Sequence, residues 1–201
     1  SIGEGDLSPQ QLRSQLKELN QDLRSIYESM RQESLNSSDS LYLKGNSIIS
    51  LQTPIQELLY QVYDRTLERD FPGFATIKTY ISPDFQPLEK CNLNLEQKRS
   101  LCMFLEEALC NVGKHAIGAT RLDVVCTKEQ GWYSLRVIDN GVGITPLSNS
   151  TTDRLAKRGT KQAHEIAGQL RGRFRRLILT PQGTTCELTW PESRRWLKRF
   201  W

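Results

Sequence analysis

Residues 106–116 read EEALCNVGKHA and place two carboxylates, an asparagine, a lysine and a histidine in a segment with the pattern of a core helix. Asn94 and Gln97 form the pattern of a capping box, so a helix is predicted from Asn94 to Ala116. Its apolar residues recur at three- and four-residue spacing, which predicts a stripe that packs on a sheet. These residues are Leu101, Leu105, Ala108, Val112 and Ala116.

A second, polar stripe on the same helix comprises Glu107, Asn111 and Lys114. At a helical period these three positions fall within about a third of a turn, away from the apolar stripe. Taken alone, such a stripe is most often a solvated helix face. If it lines a site, its members are expected to point to one place outside the core.

Composition narrows the classes of protein to which the chain can belong. The 201 residues are 37% hydrophobic and 25% charged, which is typical of a soluble globular protein. The net charge of +4 is low for a general nucleic-acid binder, so no nucleic-acid partner is expected. Five cysteines without a CxxC pair predict neither a zinc site nor a disulfide framework, and a cytoplasmic location fits them.

The N-terminal region has the pattern of a separate helix. Apolar residues recur at alternating steps of four and three from Leu12 to Met30, as in the seam of a coiled coil. We interpret residues 9–35 as a dimerisation helix, with packing on the globular body as the alternative. The serine-rich stretch 34–40 is the predicted linker. The predicted organisation is therefore helix and linker over 1–40, a globular domain over 41–191 and a basic aromatic tail over 192–201.

The globular domain alternates helical and strand patterns. A helix is expected after Thr53 as N-cap, with Pro54 at its first position and Pro72-Gly73 as its stop. Strands are predicted at 75–82, 121–129, 133–140, 173–181 and 184–191, with a hairpin turn at 130–132 and a helix at about 153–170. This order predicts an α+β fold in which helices cover one face of a mixed sheet.

Three further segments carry candidate binding residues. VIDNGVGIT, residues 137–145, ends a strand with Asp139 followed by Gly141 and Gly143. A carboxylate there can accept from a planar amine while bare backbone passes a flat ring, although DNG is also a common turn. RGT at 158–160 is interpreted as a helix start that favours phosphate, and QGTT at 182–185 adds a glycine and a hydroxyl.

Together these motifs resemble the ATP-binding domain of sensor histidine kinases. The motifs are E-x-x-x-N-x-x-K-H-A from Glu107, D-N-G-x-G from Asp139, a glycine in RGT, and G-T before a final strand that ends in Pro. The resemblance covers roughly residues 10–191 and is nearest to the nitrate-sensing and fluidity-sensing subgroup of two-component kinases. It implies the two-layer α/β sandwich of the Bergerat-type ATPases, which DNA gyrase and heat-shock chaperones share.

The resemblance also implies a role for each matching position. Glu107 would be the catalytic base. Asn111 would hold a magnesium ion that bridges the phosphates of ATP. The other nucleotide-binding positions would be Lys114 at the phosphates, His115 near the ribose or adenine, Asp139 at the adenine amine, Gly141 and Gly143 at the ring, Gly159 and Thr160 at the phosphates, and Thr184 as a support for Asp139. Residues 144–158 would form a lid.

The family resemblance further implies a transfer reaction and its partners. The chain would pass the γ-phosphate of ATP to a histidine for relay to a response regulator, as part of a homodimer. It contains no histidine before His115, so the acceptor histidine is expected on an upstream helix. Contact with a membrane is expected only through upstream regions. RGTKQA has one glycine followed by a polar residue, a departure from the family pattern. Two alternatives remain: a degenerate kinase that acts as a nucleotide-binding and dimerisation module, and a serine kinase of the anti-sigma type.

Overall fold

The computed structural model describes residues 39–44, 47–142 and 151–192, together with ten positions between Pro9 and Ile26. Those ten positions are helical, as predicted for residues 9–35. Among them, the apolar residues Leu16, Leu19, Leu23 and Ile26 are 53–56% exposed. The remainder of the predicted helix and the basic tail after residue 192 lie outside the described residues, and the dimerisation role stays a prediction.

A small antiparallel hairpin opens the globular part and was not predicted. Its strands are β1, Ser40–Leu43, and β2, Ser47–Ser50, and they are paired in register from Ser40 with Ser50. Leu41, Leu43 and Ile49 are buried, so the hairpin belongs to the core.

The first helix of the domain, α1, runs from Ile55–Leu67 and packs against the long central helix. Ile55, Leu58, Leu59 and Val62 are buried at helical spacing, which explains why this segment docks. The prediction of Thr53 as N-cap is wrong: Pro54 is the N-cap, and no side chain caps the helix. A further short helix follows where a stop was predicted. This helix, α2, spans Pro72–Thr76 and has Pro72 at its start.

Five strands form the main sheet in the order β3-β4-β5-β7-β6. Their bounds are β3 Thr79–Asp84, β4 Arg121–Glu129, β5 Trp132–Asp139, β6 Arg173–Ile178 and β7 Thr184–Pro191. Only β3 and β4 pair in parallel, and the other neighbours are antiparallel. The predicted hairpin turn between β4 and β5 is present, with positive φ angles at Gln130 and Gly131, as in a type I′ turn.

Two longer helices pack on the sheet. Helix α3 spans Leu95–His115, and the predicted capping box is present in both directions between Asn94 and Gln97. Helix α4 spans Thr151–Gln169 and packs beside β6 and β7. All five residues of the predicted apolar stripe on α3 are buried. The α+β fold class predicted from the sequence is confirmed, with helices as one layer and the mixed sheet as the other.

Four of the five cysteines are buried, as expected for small apolar side chains, and Cys91 is half-buried. Within the part of the chain that the structure describes, no helix is both long enough and apolar enough to span a bilayer.

Candidate functional site

The register of three neighbouring strands builds one wall of a pocket at the His115 end of α3. Val137 on β5 pairs with Cys186 on β7, which pairs in turn with Arg176 on β6. One step further along, Asp139 pairs with Thr184. Side chains from the last turns of α3 complete the enclosure. The pocket is lined by Ala108, Asn111, Val112, His115, Ala116, Val137, Asp139, Arg176, Thr184 and Cys186.

Asp139 is the buried acceptor of this pocket. Its residue is 6% exposed, and its Oδ1 accepts from the backbone N–H of Gly141 at 2.9 Å. Burial raises the pKa of Asp139, and hydrogen bonds from the backbone amides of Gly141 and Thr184 oppose that rise. The Thr184 contact that the structure gives is therefore through backbone. Support through its hydroxyl stays a prediction.

Two glycines allow the chain to close around Asp139. A Cβ on Gly141 would lie 2.9 Å from Cα of Ala116, at the end of α3. Gly183 has φ of +119°, and a Cβ there would lie 2.3 Å from the carbonyl oxygen of Asp139. Both positions exclude larger residues because backbone, not a flexible side chain, occupies the space. Gly141 is thus explained by packing against α3 without any ligand.

The paired carboxylates of the opening motif have separate partners. Glu106 is buried, and its Oε1 accepts from Arg69 Nη2 at 2.7 Å and from the backbone N–H of Lys44 at 2.5 Å. Glu107 is half-buried and forms an ion pair with the ammonium group of Lys44. Lys44 lies in the turn of the β1–β2 hairpin, so this hairpin contacts both Glu106 and Glu107 of α3.

The predicted polar stripe on α3 divides in the structure. Asn111 and the neighbouring His115 line the pocket, whereas Lys114 places its ammonium 5.3 Å from the ring centroid of Phe71. Glu107 faces Lys44 but still acts electrostatically on His115. The pKa of His115 is lowered by burial first and then by the charges of Lys114 and Arg176. His115 is therefore favoured as a neutral imidazole, able both to donate and to accept.

The helix-start interpretation of RGT is wrong. Helix α4 begins at Thr151, so Gly159 and Thr160 lie inside it. An interior helical N–H is bonded to the carbonyl four residues earlier and is not available to a phosphate. Residues 151–158, predicted as part of a lid, belong to this helix as well. Gly143 and the rest of the predicted lid, residues 144–150, lie outside the described residues.

Sequence reasoning missed two charged residues of the site, Lys44 and Arg176. Arg176 lies on the edge strand β6 and lines the pocket, and its Nε is buried without a partner among the described residues. The alternation of residues along β6 does not identify Arg176 as a pocket residue. Its position in the pocket depends on the pairing of β6 with β7, which places Arg176 opposite Cys186. Lys44 lay in a stretch that was not recognised as a hairpin, although Gly45-Asn46 between apolar runs is a turn signal.

The pocket has the polar groups for a purine but little room. Its volume is about 30 Å³, which is space for one or two water molecules. Arg176 is the longest side chain on its wall. A planar ligand would fit here only if side chains such as Arg176 were displaced.

Solved structures with the same fold are known, although no family model and no curated protein matches the chain. The histidine kinase AdeS of Acinetobacter baumannii is similar at 15% identity with a TM-score of 0.57, over 95% of this chain and 88% of that chain. The histidine kinase domain of a blue-light-activated kinase from Erythrobacter litoralis is similar at 16% identity with a TM-score of 0.52. That match covers 70% of this chain, which spans 62% of the Erythrobacter domain. The chain thus has the fold of histidine kinase domains.

Proposed function

We propose that this chain is the ATP-binding catalytic domain of a two-component sensor histidine kinase. In this proposal it transfers the γ-phosphoryl group of ATP to a histidine outside residues 1–201, for relay to a response regulator. One observation carries the proposal: buried Asp139 at the end of β5 and Asn111 and His115 on α3 line a single pocket. The shared fold and the sequence motifs around Glu107, Asp139 and Gly183 support it independently.

Each residue near the pocket has a task in this reaction. Asp139 accepts from the adenine amine, and His115 lies beside the ring or ribose. Glu107 is the base, and its ion pair with Lys44 fixes the position of its carboxylate. Lys114 reaches the phosphates by leaving the ring of Phe71. Positioning and charge neutralisation of this kind supply most of the rate of phosphoryl transfer.

Magnesium fits the residues present. Among the described residues no cluster of three or more His, Cys, Asp or Glu forms a metal cage. Magnesium commonly takes one or two protein oxygens and completes its shell with phosphate oxygens and water. The amide oxygen of Asn111 is a suitable protein ligand, and the ion would neutralise charge on the phosphates.

The binding part of the proposal is tested by calorimetric titration of the chain with ATP, with and without magnesium. We expect Asn111→Ala to weaken magnesium-ATP about tenfold and ATP in EDTA far less. Asn92→Ala, an exposed asparagine before α3, is the matched control. Equal affinity of parent and Asn111→Ala for magnesium-ATP would remove the metal role from Asn111.

The transfer part needs an acceptor. The histidine-bearing helix of a related kinase is added in trans, and labelled phosphohistidine is measured. We expect Glu107→Gln to lower the rate at least about a hundredfold, as for loss of a general base. Glu96→Gln, the same change at an exposed position on the same helix, leaves the rate unchanged. Undiminished transfer by Glu107→Gln would rule out the base role.

A second candidate function is a module that holds nucleotide without transferring phosphate. The observation that favours it is the position of Gly159 within α4, where its amide is not presented to a phosphate. This module would bind ATP with an affinity that depends on Asp139 and yet give no phosphohistidine with any acceptor. The two experiments above therefore separate the candidates.

A further inference from the structure

The position of Arg176 follows from the alternation of residues along β6. Arg175 is exposed, whereas Phe174 and Arg176 lie on the face of the sheet that the helices cover, Phe174 buried and Arg176 half-buried. Strand β6 is at the edge of the sheet, and its pairing with β7 places Arg176 opposite Cys186, which lies opposite Val137 on β5. The edge of the sheet therefore supplies a long cationic side chain to the candidate nucleotide pocket.

The guanidinium group of Arg176 has a weak partner in this pocket. It hydrogen-bonds with the side chain of Cys186. Burial raises the pKa of the Cys186 thiol, so the thiol is neutral near pH 7 and is only a weak acceptor. The ion pairs among the described residues do not include Arg176. Its charge is therefore available to an anion that takes the place of the thiol.

The two charged side chains of the pocket wall lie in different rows of the sheet. Asp139 is paired with Thr184, whereas Arg176 belongs to the row two residues away, about 7 Å along the strands. Burial and two backbone amides shift the pKa of Asp139. The charge of Arg176 acts on His115 and Cys186. The pocket therefore has an acceptor at the Asp139 end and a cation at the Arg176 end.

The second property of Arg176 is that it occupies space. With its side chain in place, the pocket has a volume of about 30 Å³, far below the range of about 300 to 1,000 Å³ typical of small-molecule sites. Of the residues that line the pocket, Arg176 is the one that lies on an edge strand. Its half-buried side chain can turn toward solvent without separating two paired strands. Arg176 is therefore the side chain whose movement would enlarge the pocket most directly.

We propose that Arg176 closes this pocket in the free protein and opens it by exchanging the Cys186 thiol for a phosphate group of the entering nucleotide. A phosphate is a far stronger acceptor for a guanidinium than a neutral thiol is, because the bonds are charge-assisted and can be bidentate. A nucleoside has no such group and must displace Arg176 without compensation. The pocket therefore selects phosphorylated nucleotides over nucleosides. This role of Arg176 rests on the proposed nucleotide function of the pocket and makes the residue a determinant of its specificity.

Calorimetric titrations of the full chain with adenosine and with ADP, both in EDTA, measure this selection. We expect the parent to bind ADP more tightly than adenosine. Arg176→Ala removes both the obstruction and the charge, so adenosine should bind more tightly and ADP more weakly, and the ratio of the two affinities should fall about 10- to 100-fold. Arg176→Gln keeps a planar side chain but loses the charge. It should weaken ADP about tenfold and leave adenosine nearly unchanged.

Arg175→Ala is the matched control, because it removes the same charge from the neighbouring, exposed position on β6. Its ratio of affinities should equal that of the parent, which excludes a general effect of net charge. If Arg176→Ala does not fold, the ADP affinity of Arg176→Gln decides the question.

Two outcomes would overturn the role of Arg176, and they differ in what they say about the nucleotide function. If the parent binds ADP with an affinity that falls in Asp139→Asn, while Arg176→Ala keeps the parental ratio, the selection by Arg176 is wrong and the nucleotide function stands. If neither the parent nor any variant binds ADP or adenosine, the nucleotide function and the role of Arg176 fail together.

Discussion

The two ends of α3 differ in the size of the cavity that lies beside each of them. Toward His115, the helix carboxylates have cationic partners, and the adjoining pocket has a volume of only about 30 Å³. Near Leu95, a cavity of about 420 Å³ is lined by the segment before α3, the turn after α4 and the stacked rings of Tyr133 and Trp190. The small pocket must rearrange to admit a planar ligand, whereas the larger cavity already has room for a small molecule.

The largest effect on stability is expected for the buried ion pair in the His115 half of α3. Arg69→Met removes the partner of Glu106, whose side chain is 6% exposed, and leaves that carboxylate with the Lys44 amide. Removing one member of a buried ion pair costs about 3–5 kcal/mol. We expect the free energy of unfolding, measured in urea, to fall by about 3 kcal/mol.

Lys44→Met is the matched control for this prediction. Its ion pair with Glu107 is about a third exposed on both sides, and exposed pairs contribute about 0–1 kcal/mol. The backbone N–H of Lys44 still reaches Glu106 in the variant. Equal losses of stability for Arg69→Met and Lys44→Met would contradict the distinction between a buried and a half-buried pair.

A smaller effect, on ligand affinity, tests whether the pocket at the His115 end of α3 is a nucleotide site. Asp139→Asn replaces an acceptor oxygen with an amide that presents N–H groups toward the adenine amine. A hydrogen bond to a charged group contributes about 1.5–3 kcal/mol, so ATP affinity should fall about 10- to 100-fold. Asp123→Asn is the control, since it makes the same change at a carboxylate on β4 that pairs with Arg121. Unchanged ATP affinity of Asp139→Asn would separate this pocket from nucleotide binding.

The sequence predicted the elements whose signals are local. The capping box set the start of α3, and the residues between β4 and β5 predicted their hairpin. The hairpin that carries Lys44 was missed because its strands have four residues each, too few for alternation to stand out. The helix start at Gly159 was wrong because a glycine favours a boundary only when neighbouring contacts do not continue the helix.

The candidate site was predictable only where residues share one element. Asn111 and His115 came together because helical spacing places them on neighbouring turns. Arg176 could not be predicted because its position in the pocket depends on the pairing of β6 with β7. The cavity at the Leu95 end combines residues from segments as distant as Cys91 and Trp190, and no spacing rule connects them.

The hydroxyl of Tyr133 allows a test of the cavity at the Leu95 end of α3 without any ligand. Because this buried hydroxyl hydrogen-bonds with the side chains of Lys128 and Cys91, Tyr133→Phe should lower the free energy of unfolding, by up to about 1 kcal/mol. Tyr60→Phe is the control, since its hydroxyl donates to the Pro83 carbonyl at 3.0 Å and its loss should cost about 1 kcal/mol. A stability of Tyr133→Phe equal to that of the parent would mean that the hydroxyl has no partner in the folded protein.

The smallest effect concerns the pH dependence of stability and returns to Asp139. Burial raises the pKa of this carboxyl in the folded state, so the folded protein holds the proton more tightly than the unfolded chain. Stability from this group is present below the unfolded pKa and is lost as pH rises through the folded pKa.

Asp139→Asn does not titrate. The stability of the variant minus that of the parent should therefore increase with rising pH across the carboxylate range. Calorimetric melting of both proteins over that range measures the slope, whatever constant difference the substitution adds. A difference that stays flat or decreases with pH would mean that the amides of Gly141 and Thr184 have a larger effect on the pKa of Asp139 than burial has. The pocket would then stabilise a charged carboxylate even without a ligand.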